Sequence, residues 1–264
     1  MTKETYSFSR LSSWHQCEAE WKFKYIDSRP FKQNWWAEVG TVAHECVEDF
    51  ILGKVARADL HNHFLSKYWS IKLKPPFPNM GSAMDRDLGN YFETRFKGFS
   101  LTDMKVEESI SVDMGDWTLN GFIDLYGWKG EDIMMIDHKV SNPLSSSWET
   151  AKKVRQLYLY SAHIKEVYGK YPKLLSFNFM KGSGDNKPNP KYAIHVPFDE
   201  TKMEEAVSWA NDTVALIRKA KADEDYMFSA NYDEFYCEKL CGISHECSIF
   251  LKINDLKESR KKKR

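Results

Sequence analysis

Along the chain, stretches in which apolar residues recur every three or four positions give way to stretches in which they recur every two, and this predicts its elements. From Tyr6 to about Tyr25, Leu11, Trp14, Trp21 and Tyr25 fall at helical spacing, with Ser9 as N-cap. Val39, Val42, Ala43, Cys46, Val47 and Phe50 trace an apolar stripe that predicts a second helix over 36–52. Residues 56–98 read as mostly helical, interrupted at Lys74-Pro-Pro-Phe-Pro78, where three prolines remove backbone donors. After Leu101 the period changes to two. Strands are expected over 106–112, 117–126 and 132–140, parted by turns at Met114-Gly115 and Lys129-Gly130. A helix over 148–168 follows. Strands over 174–180 and 192–197, with Gly182-Ser-Gly-Asp-Asn-Lys-Pro188 between them, and a helix over 199–222 complete the regular part. This order predicts an α/β (α+β) domain with one central mixed β-sheet flanked by helices.

Composition narrows the class. At 264 residues the chain can bury a sizeable core, and 42 % apolar residues with nine Trp exclude a largely disordered protein. No aliphatic run exceeds about four residues, so no segment is expected to span a bilayer. The polar start Met1-Thr-Lys-Glu-Thr5 has no apolar stretch of the kind that directs secretion, and a cytoplasmic location is expected. Basic and acidic residues balance at 38 each, which argues against a protein that coats nucleic acid by bulk attraction but not against a local basic groove.

The third predicted strand carries the most chemistry. Ile133-Met-Met-Ile136 is apolar on both faces, as a central strand requires, and it ends in Asp137-His138-Lys139. With a period of two, Asp137 and Lys139 project together and His138 points away. A carboxylate can hold a divalent cation while a neighbouring ammonium orients water or stabilises charge on a phosphate; the plainer reading is a salt bridge at a strand end. In the preceding strand, Leu119-Asn-Gly-Phe-Ile-Asp124 places Asp124 where a hairpin would set it beside Asp137, and two adjacent carboxylates call for a cation or a raised pKa. The alternative is that Asp124 caps a turn near Gly127. His44 lies one turn after Gly40 and one turn before Glu48, on a helix face offset from the apolar stripe. A mid-helix glycine costs about 1 kcal/mol against Ala, so Gly40 needs a reason, such as close approach of a strand or of a substrate backbone. Gln156 and Tyr160 also sit one turn apart. Glu107 and Glu108, on the first of the three strands, are spare carboxylates outside this set.

These segments, Gly40-Thr-Val-Ala-His44-Glu-Cys-Val-Glu48, Gly121-Phe-Ile-Asp124, Ile136-Asp137-His-Lys139 and Gln156-Leu-Tyr-Leu-Tyr160, together with the opening Ser7-Phe-Ser9-Arg-Leu11-Ser-Ser-Trp14-His-Gln-Cys17, resemble the PD-(D/E)xK nuclease superfamily. The likeness is to its RecB-like branch with an iron–sulfur cluster, and it spans Ser7 to Cys247 in the family's order. The resemblance implies a restriction-endonuclease-like core in a single nuclease domain over 1–264. Within it, residues of about 55–100 would be a helical insertion, about 225–252 a C-terminal cysteine cap and 257–264 a basic tail. It implies that His44, Asp124, Asp137 and the backbone carbonyl of His138 bind Mg²⁺ or Mn²⁺, that Lys139 positions or activates the attacking water, and that Gln156 and Tyr160 support the site and the DNA. The function so implied is a metal-dependent DNA exonuclease of phage or bacterial recombination or replication, acting on single strands or duplex ends. The alternatives are a nuclease that processes the ends of CRISPR spacer precursors and a catalytically inactive, cluster-bearing DNA-binding adaptor. Relatives also suggest a homo-oligomer or a recombination-protein partner, and no membrane.

Five cysteines remain. Cys237, Cys241 and Cys247 fall within eleven residues, Cys17 lies near the N-terminus, and Cys46 sits in an apolar stripe as a core thiol. Residue chemistry alone admits either a structural Zn²⁺, with His15 and His245 as further donors, or a [4Fe-4S] cluster; the resemblance implies the cluster, on Cys17, Cys237, Cys241 and Cys247. From Glu238 onward eight basic residues face four acidic ones, so the remainder of the chain carries the opposite excess. The run Arg260-Lys-Lys-Lys-Arg264 is either a phosphate contact or a solvated tail.

Overall fold

A computed structural model describes residues 3–142, 147–181 and 192–261. The chain divides into two compact units, Met1–Ser7 with Trp36–Trp209, and Phe8–Trp35 with Ala210–Arg264.

The first unit is built on a six-stranded mixed sheet. Its strands are β1 (Glu4–Ser7), β2 (Thr102–Asp113), β3 (Trp117–Lys129), β4 (Asp132–Lys139), β5 (Leu174–Phe179) and β6 (Ala193–Pro197). β2 runs antiparallel along one edge of β3, from Thr118 to Trp128. The other edge of β3 is divided. β1 pairs parallel with Trp117–Asn120, and β4 pairs antiparallel with Leu125–Lys129. Gly121 to Asp124 therefore lie at a fork, where neither strand continues the ladder. β5 pairs parallel with β4, and β6 closes the far edge antiparallel to β5. The tight β3–β4 hairpin turns at Gly130, whose φ of +64° is open to glycine at little steric cost.

The apolar stripe expected over 36–52 forms α3 (Trp35–Ile51), with Val39, Ala43, Cys46 and Val47 wholly buried. The mostly helical stretch before the sheet holds α4 (Leu60–Tyr68), α5 (Met80–Asn90) and a π-helical turn over Tyr91–Arg95, packed through Phe64 and Phe92, whose rings stack at 5.0 Å. The remaining helices of the sheet unit are α6 (Ser147–Tyr168) and the first half of α7 (Glu200–Ala222). The Gly182–Pro188 turn lies outside the described residues.

The helix expected over 6–25 is instead three elements. Tyr6 belongs to β1, is 1 % exposed, and meets the buried Trp117 ring edge-on at 5.9 Å. The helical residues then split into α1 (Phe8–Gln16) and α2 (Glu18–Tyr25) at Cys17, whose backbone is extended at φ −165°, ψ 110°. The break is held by the second unit's other segment: Ala19 N–H donates to the Ser229 carbonyl, and the Glu18 carboxylate accepts from Ser229 N, Ser229 Oγ and Tyr226 Oη. At the C-terminal end, residues expected to form a basic tail continue α8 (Ser248–Lys261); 262–264 lie outside the described residues.

Candidate functional site

The fork in the sheet gathers most of the residues that the sequence singled out. The β3–β4 register carries Asp124 opposite Asp137, one step past the Leu125–Ile136 pair. There the ladder is replaced by a side chain: the His138 N–H donates to Asp124 Oδ2 at 2.7 Å. Asp137 is 3 % exposed and its Oδ2 lies 2.5 Å from Lys139 Nζ, as two residues on one side of a strand should. Burial, and next the Asp137 charge, push the Asp124 carboxyl up to about 7. Two acids are held close in a water-poor setting, with one ammonium paired to Asp137.

His44 approaches from α3. Its Nε2 donates to the His138 carbonyl at 3.1 Å, while its Nδ1 lies 3.7 Å from both Glu107 and Asp124. Burial works against an imidazolium, but Glu107, Asp124 and Asp137 outweigh it and raise the His44 pKa above its ordinary value. Donor atoms of His44, Glu107 and Asp124 all lie within 4.8 Å of one another. One imidazole nitrogen, two carboxylates and a nearby backbone carbonyl form a mixed N/O donor set that suits a hard divalent ion, with Mn²⁺ more tolerant of the imidazole than Mg²⁺.

Glu107 is the residue that sequence reasoning left aside. It stands across β2 from Asp124, and its backbone adopts φ +49° in the middle of a strand. A left-handed non-glycine residue is strained, and here the strain sits at a candidate ligand. Nothing in the alternation of apolar and polar residues marks that conformation. The visible signal was two successive carboxylates facing a strand that carries an acid.

Gln156 and Tyr160 meet through a side-chain hydrogen bond on α6, and Tyr160 lies near Asp137 and Asp124. Burial, chiefly, raises the Tyr160 hydroxyl to about 12, so it stays protonated. Its ring packs against Gly121, where an added Cβ would sit 2.7 Å from Tyr160 Cζ. His138, 2 % exposed, turns away from the carboxylates, as expected from the strand period. Asn178 donates to its Nδ1 at 3.0 Å and to Tyr91 Oη at 2.7 Å. Burial keeps the His138 imidazole neutral, and this buried network fixes the backbone whose carbonyl His44 meets.

In the second unit, Cys17, Cys237, Cys241 and Cys247 line one cavity together with Glu20 and Tyr236. All four are free thiols, and no three of their sulfurs lie within 4.8 Å of one another among the described residues. Tyr236 Oη donates to the buried Glu20 carboxyl at 2.8 Å, and burial raises the Cys241 thiol to about 12. His15 Nε2 bonds Thr213 Oγ1, and His245 Nε2 faces Glu246 Oε1 at 3.2 Å. Cys46 is fully buried in α3, its thiol also pushed to about 12 by burial.

A family model described as the PD-(D/E)XK nuclease superfamily matches residues 5–248. No curated protein matches the chain. The crystal structure of a "putative exonuclease" from Eubacterium rectale is similar over 88 % of this chain and 86 % of its own, at 14 % identity and a TM-score of 0.55, which shows a shared fold. The structure of SSO0001 covers 91 % of this chain and 95 % of its own at 15 % identity, with a TM-score of 0.34 that carries no argument.

Two outcomes follow from this geometry. Gly121→Ala is expected to displace Tyr160 and destabilise the protein by about 1–3 kcal/mol, as overpacking does; urea denaturation measures it, and an unchanged midpoint would contradict the packing. The folded pKa values of Asp124 and His44 both lie above their ordinary values, so the metal-free fold binds extra protons. The stability this contributes is present at low pH. It is lost as pH rises through about 7 for Asp124, and beyond the ordinary histidine value for His44. Melting in chelator should fall between about pH 5 and pH 8, and Mn²⁺ should restore it at about pH 8 but little at about pH 5. A Mn²⁺ effect equal at both pH values would contradict this ligand set.

Proposed function

The chain belongs to the PD-(D/E)XK nuclease superfamily, and from that premise we propose that it is a divalent-metal-dependent DNA exonuclease acting on single strands or duplex ends. The observation that carries the reading is the convergence at the sheet fork of His44, Glu107 and Asp124 with the Asp137–Lys139 pair beside them. Nucleases of this superfamily use divalent ions. Here His44, Asp124, Asp137 and the His138 carbonyl would hold Mg²⁺ or Mn²⁺, with Glu107 as a further donor. Such an ion supplies positive charge against the phosphate and acidifies water.

The chain's own residues do the rest. Lys139 Nζ, held by Asp137, orients the attacking water and meets the negative charge that grows on the phosphate oxygens. The Gln156–Tyr160 pair supports the carboxylates and contacts the DNA strand. Hydrolysis breaks the P–O bond opposite the incoming water oxygen, leaving a phosphate on one product and a hydroxyl on the other.

The four cysteines of the second unit would hold a [4Fe-4S] cluster with a structural role. Enclosure of all four thiols around one cavity supports this. The ligands come from both chain segments of that unit, so binding free energy would contribute to its folding. The whole chain would act as one nuclease domain.

Purified protein should degrade 5′- or 3′-labelled single strands from one end in Mn²⁺. Asp137→Ala and Lys139→Ala should each lower the rate by about 10²-fold or more while circular dichroism shows the fold retained, although breaking their buried pair shifts the melting temperature. Undiminished cleavage by both variants would sink the assignment. Cys237→Ala is expected to lose visible absorbance and bound iron and to melt earlier; a stable variant with its full metal content would overturn the cluster reading.

A further inference from the structure

The candidate metal centre opens into a groove that the mechanism above uses only at His44 and Glu107. Gly40, His44 and Glu48 lie along its α3 wall at successive turns, with Glu45 beside them, and Glu107 and Phe122 form the sheet side. We propose that this groove seats the terminal nucleoside of a DNA strand, its base stacked on Phe122 and its sugar passing over Gly40. The proposal rests on the nuclease reading and adds the substrate contact that fixes the strand end.

Three observations carry it. Phe122 is 57 % exposed, unusual for a phenyl ring on a core sheet, and engages no other ring among the described residues. It lies two residues from Asp124 and so on the same side of β3, about 7 Å along the strand. That is close to the reach from a phosphate across its sugar to the base.

Gly40 lies within α3, with no positive φ to require glycine, and a Cβ there would meet nothing within 4 Å. Gly121, by contrast, is glycine because a Tyr160 ring lies against it. Packing therefore does not explain Gly40, although glycine weakens the helix that carries His44. The space it leaves is groove space, one turn from that ligand.

Charge decides what fills the groove. Glu45, Glu48 and Glu107 line it, and of these Glu45 is paired with Lys67 at 2.9 Å. Such walls repel a phosphate and accept hydrogen bonds from base N–H groups. The phosphate then belongs at the cation centre and the uncharged base on the aromatic ring, where stacking tolerates any base. Continuity with the metal centre through His44 and Glu107 makes this the seat of the nucleotide being released.

The test uses the full-length protein with single strands carrying 2-aminopurine at the 5′ end, at the 3′ end or internally. In a Lys139→Ala background, with Mn²⁺ present, fluorescence should be quenched at one terminus. Adding Phe122→Ala should abolish that quench, and Phe122→Tyr in its place should restore it. In the active enzyme, Phe122→Ala should raise KM by about tenfold with kcat changed less than about twofold, the size expected from one lost stack. Gly40→Leu should raise KM as well while leaving the melting temperature equal or higher, opposite to a structural defect. Quenching that survives Phe122→Ala, or an unchanged KM in an enzyme that degrades DNA, overturns this inference and leaves the nuclease reading standing. A wild-type protein that degrades no DNA overturns both.

Discussion

Two carboxylates facing each other where the sheet parts set the terms for everything around them. Asp124 and Asp137 repel, and burial removes the water that would screen them. Each neighbour answers that repulsion with a donor or a positive charge: the Lys139 ammonium on Asp137, the His138 N–H on Asp124, and the His44 ring across from both Asp124 and Glu107. With all three carboxylates ionised, one ammonium and one imidazole leave the centre negative in either state of His44. A divalent cation is the simplest remaining counterweight, and the donor atoms of His44, Glu107 and Asp124 already lie close enough to share one.

The fork exists because β4 parts from β3 after Ile136 and runs on to Lys139 against β5, while β1 pairs only with the first residues of β3. β1 covers its first residues and β4 its last, so Gly121 to Asp124 have no ladder partner on that side. A side chain can then take a place that backbone would otherwise fill, as Asp124 does against the His138 N–H. The same absence of a Cβ at Gly121 lets Tyr160 close in. Across β2, the left-handed backbone of Glu107 brings a third carboxylate to the centre. Irregular backbone, rather than regular sheet, makes the site, and it is tolerated because a buried, regular frame surrounds it.

How much of this could be read from sequence follows from which interactions are local. The stripe of α3 and the pairing of Asp137 with Lys139 are periodic features, and the structure repeats them. The facing of Asp124 and Asp137 needed only a tight hairpin, which Lys129-Gly130 announces. Glu107 needed a positive φ that no apolar pattern encodes. Tyr6 stood at the start of the helix expected over 6–25, but its pairing with Leu119 is a contact across more than a hundred residues. Cys17 broke the helix through bonds between its neighbours Glu18 and Ala19 and Ser229, equally distant in sequence. Long-range partners override local propensity, and a single sequence does not display them.

A balanced net charge looked unfavourable for a nucleic-acid enzyme, and the site changes the meaning of that balance. A basic groove would bind phosphates whether or not a metal were present. This centre and the groove beside it are acidic, so at the reacting phosphate the chain's own charge opposes the substrate. Attraction there would then depend on the bound ion, and in the proposed mechanism the same ion would supply the charge that lowers the barrier. On the proposed reading, binding at the scissile position and hydrolysis would be tied to one event, and a strand that reached the centre without the ion would meet carboxylates, the His44 ring and one lysine already held by Asp137.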